Sequence, residues 1–245
     1  MSGGPARLED AVAASVADGD CVWVGNFGAQ LFAVGEELIR QGRRDLHLVI
    51  GSGGILLDRL LAAGVAAEVT FTHCWSPVGP RPTRAFRSAW ERGSAVLFHE
   101  LPLGALVAAL EAGALGVPFA PVALDPGSGY PDWTPEMLGT ARSPFGEALV
   151  VRALRPDVAF VHGVRADPAG NLCVGAPAGE APAAVAAARR TVAVVERLGA
   201  VDRPTLPGVL VDTVVEHPGA AAPDGVPGFY ERDVAAYEEY SGGRP

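Results

Sequence analysis

The chain has 245 residues, of which 49% are hydrophobic, and this is enough to bury a large core. Its formal net charge of −9 at pH 7 argues against a nucleic-acid partner, because phosphates attract stripes of Lys and Arg. All 19 basic residues are Arg, which excludes a Schiff-base or phosphate-binding lysine within this chain.

The cysteines Cys21, Cys74 and Cys173 are far apart and form no CxxC motif. They therefore predict free thiols in a reducing compartment, with neither a disulfide framework nor a metal site. The N-terminal residues lack the apolar core of a signal peptide, and no run of about 18 apolar residues occurs. We expect a cytoplasmic protein without a membrane partner.

Strands and helices alternate along the first half of the chain. A first helix at Leu8–Val16 is followed by two units of strand, glycine loop and helix. The two units are Cys21–Val24, Gly25–Gly28 and Ala33–Gln41, then Leu46–Ile50, Gly51–Gly54 and Ile55–Ala63. Further strands at Val69–Thr72 and Ala95–Phe98 alternate with helices at Ala85–Arg92 and Leu103–Ala112, the last ended by Gly113. This order predicts the α/β class, with a mostly parallel open sheet and helices on both faces.

Residues 117–147 interrupt the alternation with scattered prolines and glycines. We expect a single domain over residues 1–245, with a long Pro/Gly-rich loop at about 117–147. A segment of this length without regular structure is more often functional than not, and it is equally suited to an interface arm.

The alternation resumes at Val158–Val161, a continuous apolar run that is typical of a strand buried on both faces. The turn-forming residues Ala166–Asn171 follow it. The remaining elements are a helix at Ala181–Arg190, strands at Val192–Val195 and Val209–Val215, and a short helix at Asp233–Tyr240.

The two glycine loops are candidate ligand sites. Glycine loops at the carboxyl ends of parallel strands can direct backbone N–H groups at negative charge, although tight turns without a ligand have the same composition. The candidates are Gly25, Asn26, Phe27 and Gly28 in the first loop, and Ser52, Gly53 and Gly54 in the second. Neither loop fits the dinucleotide or P-loop pattern, and Ser52 lacks the glycine spacing of a nucleophile elbow.

Glu100 is the candidate catalytic carboxylate. It follows a predicted strand and so belongs at the carboxyl edge of the sheet, where partial burial raises the pKa of a carboxyl towards that of a general base. An orienting or structural role remains open. His162, at the end of its strand, either contacts a ligand or satisfies loop backbone. His73 and Cys74 do not form a pair, because adjacent strand residues face opposite ways.

Four segments in the same order resemble the alpha-type subunits of family I coenzyme A transferases, of the glutaconate CoA-transferase group. They are Asp18–Glu36, Glu100 with Ala112–Phe119, the strand and turn at Pro156–Leu172 with its Ala-Asp-x-x-Gly-Asn motif, and Val214–Asp233. Asn26 replaces the second glycine of the family's Gly-Gly-Phe turn, and Ala221 stands where a His is common.

The resemblance implies a reaction divided between two subunits. In the separate beta-type subunit, a glutamate attacks an acyl-CoA and becomes a glutamyl-CoA thioester, which then passes CoA to a carboxylic acid. This chain is expected to supply oxyanion donors and part of the acyl pocket, in an αβ or α2β2 assembly. CoA thioester is then a substrate, and no cofactor is bound permanently.

Two alternative functions involve the same candidate site residues. The first is a hydrolase of CoA thioesters or cyclic diketones, in which Glu100 activates water. The second is a non-catalytic partner that shapes another subunit. In every case Pro156–Leu172 is expected to be chiefly architectural.

Overall fold

The computed structural model describes residues 6–25, 29–79, 83–175 and 177–242. The strands are β1 Cys21–Val24, β2 Leu46–Ser52, β3 Ala66–His73, β4 Leu97–Glu100, β5 Phe119–Pro121, β6 Leu138–Ser143, β7 Gly146–Arg152, β8 Val158–Gly163, β9 Arg165–Ala166, β10 Leu172–Cys173, β11 Arg190–Val195 and β12 Thr213–Glu216. The helices are α1 Leu8–Ser15, α2 Phe32–Arg40, α3 Gly54–Ala62, α4 Arg84–Arg92, α5 Leu103–Leu115, α6 Tyr130–Trp133, α7 Ala181–Ala187 and α8 Val234–Gly242.

Seven strands form one parallel sheet in the order β12-β11-β8-β1-β2-β3-β4. The strand β8 is buried at all six positions, because both of its faces are covered. The predicted α/β class with a parallel sheet is therefore confirmed. All seven carboxyl ends lie at one edge of this sheet.

Helices cover both faces of the sheet, as predicted. One core cluster joins the sheet to α1, α2 and α3 and to Tyr237 of α8, and Phe86 of α4 packs on its border. The other cluster joins the opposite face to α5, α7 and the segment that includes Leu138 and Val151. Successive strand residues alternate between these two clusters, so each side chain at the carboxyl edge has an assigned face.

The prediction of a long loop at residues 117–147 is wrong in its secondary structure. This region contains β5, β6 and the start of β7, which form an antiparallel sheet in the order β5-β7-β6, together with the short helix α6. The prolines lie at the ends of these elements: Pro121 closes β5, and Pro144 lies in the turn between β6 and β7. The strand β6 is mostly exposed and carries no apolar run, whereas the apolar run Ala148–Val151 of β7 begins just after the predicted loop.

Several predicted boundaries shift in the structure. The helix expected to stop at Gly113 continues to Leu115 and ends at Gly116, whose φ of 75° closes it. The strand expected from Val209 is shorter: a 3₁₀ turn at Gly208–Leu210 precedes β12. The strand expected at Ala95–Phe98 is β4, which includes Glu100 as its last residue.

The turn at Ala166–Asn171 is built around the carboxylate of Asp167. Its Oδ1 accepts the N–H groups of Ala169 and Asn171, each at 2.9 Å, and its Oδ2 accepts Asn171 Nδ2 at 2.8 Å. Asn171 Oδ1 in turn accepts the N–H of Gly208 at 3.0 Å. These hydrogen bonds, from Asn171 first, hold the pKa of Asp167 below its usual value. The motif therefore locks a loop onto the 3₁₀ turn.

Partial burial disfavours the thiolate form of two of the three free thiols. Desolvation is the main cause that raises the pKa of Cys21 and of Cys74 to about 12. The described residues contain no cluster of three or more His, Cys, Asp or Glu side chains that could bind a metal ion. Among the helices described, none has the length and apolar character needed to cross a membrane.

Gly113 provides a test of how α5 packs. A Cβ at this position would overlap the carbonyl oxygen of Leu154, which lies on rigid backbone whose N–H donates to Ala109 O at 2.9 Å. We expect Gly113→Ala to destabilise the protein by about 1–3 kcal/mol through overpacking. Thermal unfolding should register this as a melting temperature lower by about 2–4 °C for each kcal/mol.

The matched control is Gly104→Ala in the first turn of the same helix. A Cβ there meets no atom within 4 Å, so the substitution should be neutral or should stabilise by up to about 1 kcal/mol. Equal melting temperatures for the two variants would contradict the close contact between α5 and Leu154.

Candidate active site

The polar residues at the carboxyl edge come from the ends of four neighbouring strands. Ser52 ends β2, His73 ends β3 and Glu100 ends β4, while Gly25 follows β1. Ser52, His73 and Glu100 all project to the face of the first core cluster, because Ile50, Phe71 and Phe98 lie there two residues earlier. The parallel sheet thus brings residues far apart in sequence to one edge, where α/β sites assemble.

Ser52 and His73 form a hydrogen-bonded pair at the centre of this edge. Ser52 Oγ lies 3.0 Å from His73 Nε2, and Thr72 Oγ1 lies 3.1 Å from His73 Nδ1. Burial lowers the pKa of His73 below its usual 6.5, which favours the neutral imidazole at pH 7. A neutral imidazole can exchange a proton with the Ser52 hydroxyl, and both side chains are only half-buried.

Two buried side chains support the loop that carries Ser52. Gln30 donates its side-chain N–H to the carbonyl of Ser52, and its own backbone N–H lies 3.4 Å from Asp224 Oδ2. On the other face, the Glu180 carboxyl presses on Gly51, where a Cβ would lie 2.5 Å from Glu180 Oε1. Burial is the main cause that raises the pKa of Glu180, which is 1% exposed. The end of β2 is thus held from both sides.

The backbone amides of the glycine loops are partly committed to the fold. Gly25 N–H donates to Phe160 O at 2.9 Å, and Gly53 N–H donates to His73 O at 3.0 Å. These two amides therefore cannot also bind an oxyanion in this arrangement. The first N–H groups of α3, beginning at Gly54, have no acceptor within their own helix and carry its positive dipole end. Asn26, Phe27 and Gly28 lie outside the described residues.

Glu100 is half-buried at the end of the edge strand β4. Burial raises the pKa of its carboxyl above the usual 4.5, as expected for a candidate base. Its carbonyl accepts the hydroxyl of the buried Thr134 at 3.1 Å, which ties the strand to α6. Glu100 pairs in register with Phe71, two residues before His73, so it lies slightly inside the edge.

His162 is 1% exposed and belongs to a buried network. Its Nε2 lies 2.8 Å from Glu196 Oε1, and the same oxygen accepts Tyr230 Oη at 2.8 Å. Glu196 Oε2 accepts the N–H of Gly219 at 2.8 Å. Burial favours the protonated carboxyl, but the hydrogen bonds from His162, Gly219 and Tyr230 outweigh it and lower the pKa of Glu196.

The predicted site residues do not all meet. Neighbouring strands are about 4.8 Å apart, so the strands of Ser52 and Glu100 are about 10 Å apart, and those of Glu100 and His162 about 19 Å apart. The structure therefore groups Ser52, Gly53 and Gly54 with His73, and it places Glu100 and His162 on opposite sides of them. One small acyl group cannot contact both Glu100 and His162.

Sequence reasoning missed His73, Gln30 and Glu180 as parts of this site. His73 cannot pair with its sequence neighbour Cys74, but Ser52 is in register with it on the neighbouring strand. One signal was available: polar residues follow the strands predicted at Leu46–Ile50 and Val69–Thr72. Whether these residues face the same side of the sheet depends on the exact end of each strand, which the sequence does not define. Glu180 gave no signal, because its contact with Gly51 arises from packing across the sheet.

Comparison with known proteins places this parallel α/β fold in a family. The model of the coenzyme A transferase family matches residues 6–217. The A-type subunit of the 3-oxoadipate CoA-transferase of Pseudomonas knackmussii is 33% identical over 95% of this chain and 86% of that protein. The chain therefore belongs to the coenzyme A transferase family, and it resembles the A-type subunits of that family.

Two solved structures share this fold. The crystal structure of glutaconate coenzyme A-transferase from Acidaminococcus fermentans superposes with a TM-score of 0.90, at 26% identity over 98% of this chain and 84% of that one. The crystal structure of a variant of the decarboxylase AibA/AibB superposes with a TM-score of 0.88, at 33% identity over 98% of this chain and 94% of that one.

The Glu196 network predicts a specific pH dependence of stability. Because the folded-state pKa of Glu196 lies below the usual 4.5, its contribution is fully present above pH 4.5 and is lost as the pH falls through the lowered pKa. We expect Glu196→Gln to lower the free energy of unfolding by about 1–3 kcal/mol at pH 7. The difference from wild type, measured by urea unfolding, should shrink towards pH 3. A difference that does not change with pH would contradict this account.

Proposed function

We propose that this chain is the A-type component of a heteromeric CoA-transferase and works together with a B-type subunit that carries the nucleophilic glutamate. The observation that supports this most strongly is the family match over residues 6–217, combined with the likeness to an A-type subunit over most of both chains. The named relatives act on 3-oxoadipate and glutaconate, both dicarboxylic acids, so we propose a dicarboxylate as the CoA acceptor.

The geometry supports an auxiliary role for this chain in acyl transfer. When the partner's carboxylate attacks the thioester carbonyl, negative charge develops on the carbonyl oxygen. The half-buried Ser52 hydroxyl is the donor suited to that oxygen, and the buried N-terminus of α3 adds the positive end of its helix dipole. Ser52 can donate to that oxygen when neutral His73 carries its proton on Nε2, because Nε2 then donates to Ser52 Oγ at 3.0 Å and leaves the hydroxyl proton free.

The carboxylates of the site do not suit the nucleophile's role. Glu180 is 1% exposed behind Gly51, where no thioester can reach it. Glu100 is half-buried, and its strand is about 10 Å from that of Ser52. A nucleophile supplied by another subunit explains this arrangement, and αβ or α2β2 assemblies are both compatible with it.

The raised pKa of Glu100 favours a second candidate, hydrolysis of a CoA thioester or cyclic diketone with Glu100 as the base that activates water. A general base works in its deprotonated form. The rate of hydrolysis should therefore rise with pH through the raised pKa of Glu100.

The two candidates are separated by one assay of the complex with its B-type partner. CoA transfer to a dicarboxylate, release of free CoA and release of CO2 are measured in parallel, the last because one structural relative is a decarboxylase. We expect CoA transfer to dominate, and to need both subunits. Full transferase activity from this chain alone would exclude the divided reaction.

Ser52→Ala tests the oxyanion role. Loss of one oxyanion donor lowers kcat by about 10²–10³-fold in other enzymes, and we expect a drop of that order with little change in KM for acyl-CoA. The control is Ser88→Ala, whose hydroxyl accepts Arg92 Nε at 2.9 Å on the exposed surface of α4. Unchanged kcat for Ser52→Ala would remove Ser52 from the mechanism.

Glu100→Gln tests the role of the carboxyl. If the complex transfers CoA, the variant should retain the transferase rate within about tenfold, because the nucleophile lies elsewhere; general-base loss costs about 10²–10⁴-fold. If the complex hydrolyses thioesters, the variant should lose turnover together with the acidic limb of the pH profile. Circular dichroism and melting temperature verify that the variant is folded.

A further inference from the structure

A cavity of about 360 Å³ opens beyond the ends of β8 and β11. One wall follows β8 at Val164 and Arg165, and another follows β11 at Arg197; Cys173 and Phe229 line it as well. Its volume lies within the usual range for small-molecule sites, about 300–1,000 Å³. The cavity opens at the carboxyl edge of the sheet, where α/β proteins bind ligands.

The cavity concentrates positive charge in an acidic protein. Arg165, Arg197 and Arg203 line it with a single acidic residue, Asp202, although the chain carries a net charge of −9. Among the described residues, none of these three arginines has a carboxylate within 4.0 Å, whereas surface arginines such as Arg142 do. Cations gathered without their own counter-ions attract an anionic ligand.

The walls of the cavity are held by the buried network described above. Arg197 follows Glu196, and Phe229 precedes Tyr230, whose hydroxyl donates to Glu196 Oε1 at 2.8 Å. The guanidinium of Arg197 lies 5.3 Å from the centre of the Phe229 ring, a cation–π contact. Arg165 Nη1 donates to Ala200 O at 3.2 Å, which fixes the side chain at the rim. These contacts position Arg165, Arg197 and Phe229, and the exposed Arg203 lines the same cavity.

We propose that this cavity binds a phosphate-bearing ligand through Arg165, Arg197 and Arg203, with Phe229 available to stack on a base. Guanidinium groups match phosphate oxygens with paired N–H donors, and the aromatic ring suits the flat face of a nucleotide. The ligand is either the nucleotide end of the CoA substrate, in which case the inference rests on the proposed function, or a separate phosphate compound.

Calorimetry with defined probes tests the proposal. The full chain, alone and with its B-type partner, is titrated with adenosine 3′,5′-bisphosphate, with CoA and with inorganic phosphate. We expect the double variant Arg197→Gln with Arg203→Gln to weaken the Kd at least about tenfold, and binding to weaken steeply with salt. Binding of the nucleotide and CoA with little affinity for inorganic phosphate identifies the nucleotide end, whereas equal binding of inorganic phosphate identifies a separate phosphate compound.

The control is the double variant Arg44→Gln with Arg142→Gln, which removes the same charge from two exposed, ion-paired positions. It should bind the probes within about twofold of wild type. Equal affinity for both double variants, or no binding to wild type at millimolar probe, overturns the proposal. A third outcome also overturns it: the variant Arg197→Gln with Arg203→Gln binds the probes normally but no longer binds the B-type partner. The cavity would then be part of the contact between the two chains.

Activity distinguishes this inference from the proposed function. If the complex transfers CoA and the first double variant shows an unchanged KM for acyl-CoA and unchanged probe binding, the cavity proposal fails and the transferase assignment stands. If the probes bind as expected but no CoA transfer occurs, the phosphate site stands and the transferase assignment fails.

Discussion

Parallel pairing of β1 with both β2 and β8 is the constraint on which the rest of the structure depends. Trp23 pairs in register with Val49 on one side and with Ala159 on the other, and all three are fully buried. Because the strands are parallel and central, every loop that follows them emerges at the same edge. Strand pairing alone therefore makes neighbours of residues that are far apart in the sequence.

The hydrogen bonds of Glu196 are the second constraint, because this buried carboxylate links three segments of the chain. It accepts hydrogen bonds from His162 of β8, from the N–H of Gly219 after β12 and from Tyr230 near the C-terminus. A buried carboxylate is costly unless it is fully paired, and these partners satisfy both of its oxygens. The same network positions the Arg197 and Phe229 walls of the cavity. The packing of these three segments and the walls of the candidate phosphate site therefore depend on the same hydrogen bonds.

The sequence predicted those parts of the fold that buried apolar patterning determines. The strands at Cys21 and Val158 and the helices that follow the two glycine loops were correct to within a few residues, because both faces of a central strand must be apolar. The sheet of β5, β6 and β7 was missed because prolines interrupt the segment around β5, exposed β6 carries no apolar run, and the run Ala148–Val151 of β7 lies beyond the predicted loop. Glu100 was correctly expected at the carboxyl edge, but its distance from His162 depended on strand order, which no local pattern encodes.

The site residues were harder to predict because their roles depend on what each one faces. Gly25 and Gly53 have the composition of anion-binding loops, yet their amides are donated to Phe160 and His73. His73 has Cys74 as its neighbour in the sequence, whereas its hydrogen-bonding partner lies on the next strand. The composition shows which hydrogen-bonding groups a loop contains. The strand register determines which of them already have a partner within the fold.

The distribution of carboxyls gives the strongest physical reason for a reaction that needs another subunit. Acyl transfer through an anhydride requires an exposed carboxylate beside the oxyanion donors. Around Ser52 this chain provides an imidazole, a hydroxyl and a helix N-terminus, whereas Glu180 is buried behind Gly51 and Glu100 lies at the end of the edge strand β4. Within the part of the chain that the structure describes, this site has donors for developing negative charge and no accessible carboxylate between them. Such a site is complementary to a carboxylate brought by a partner.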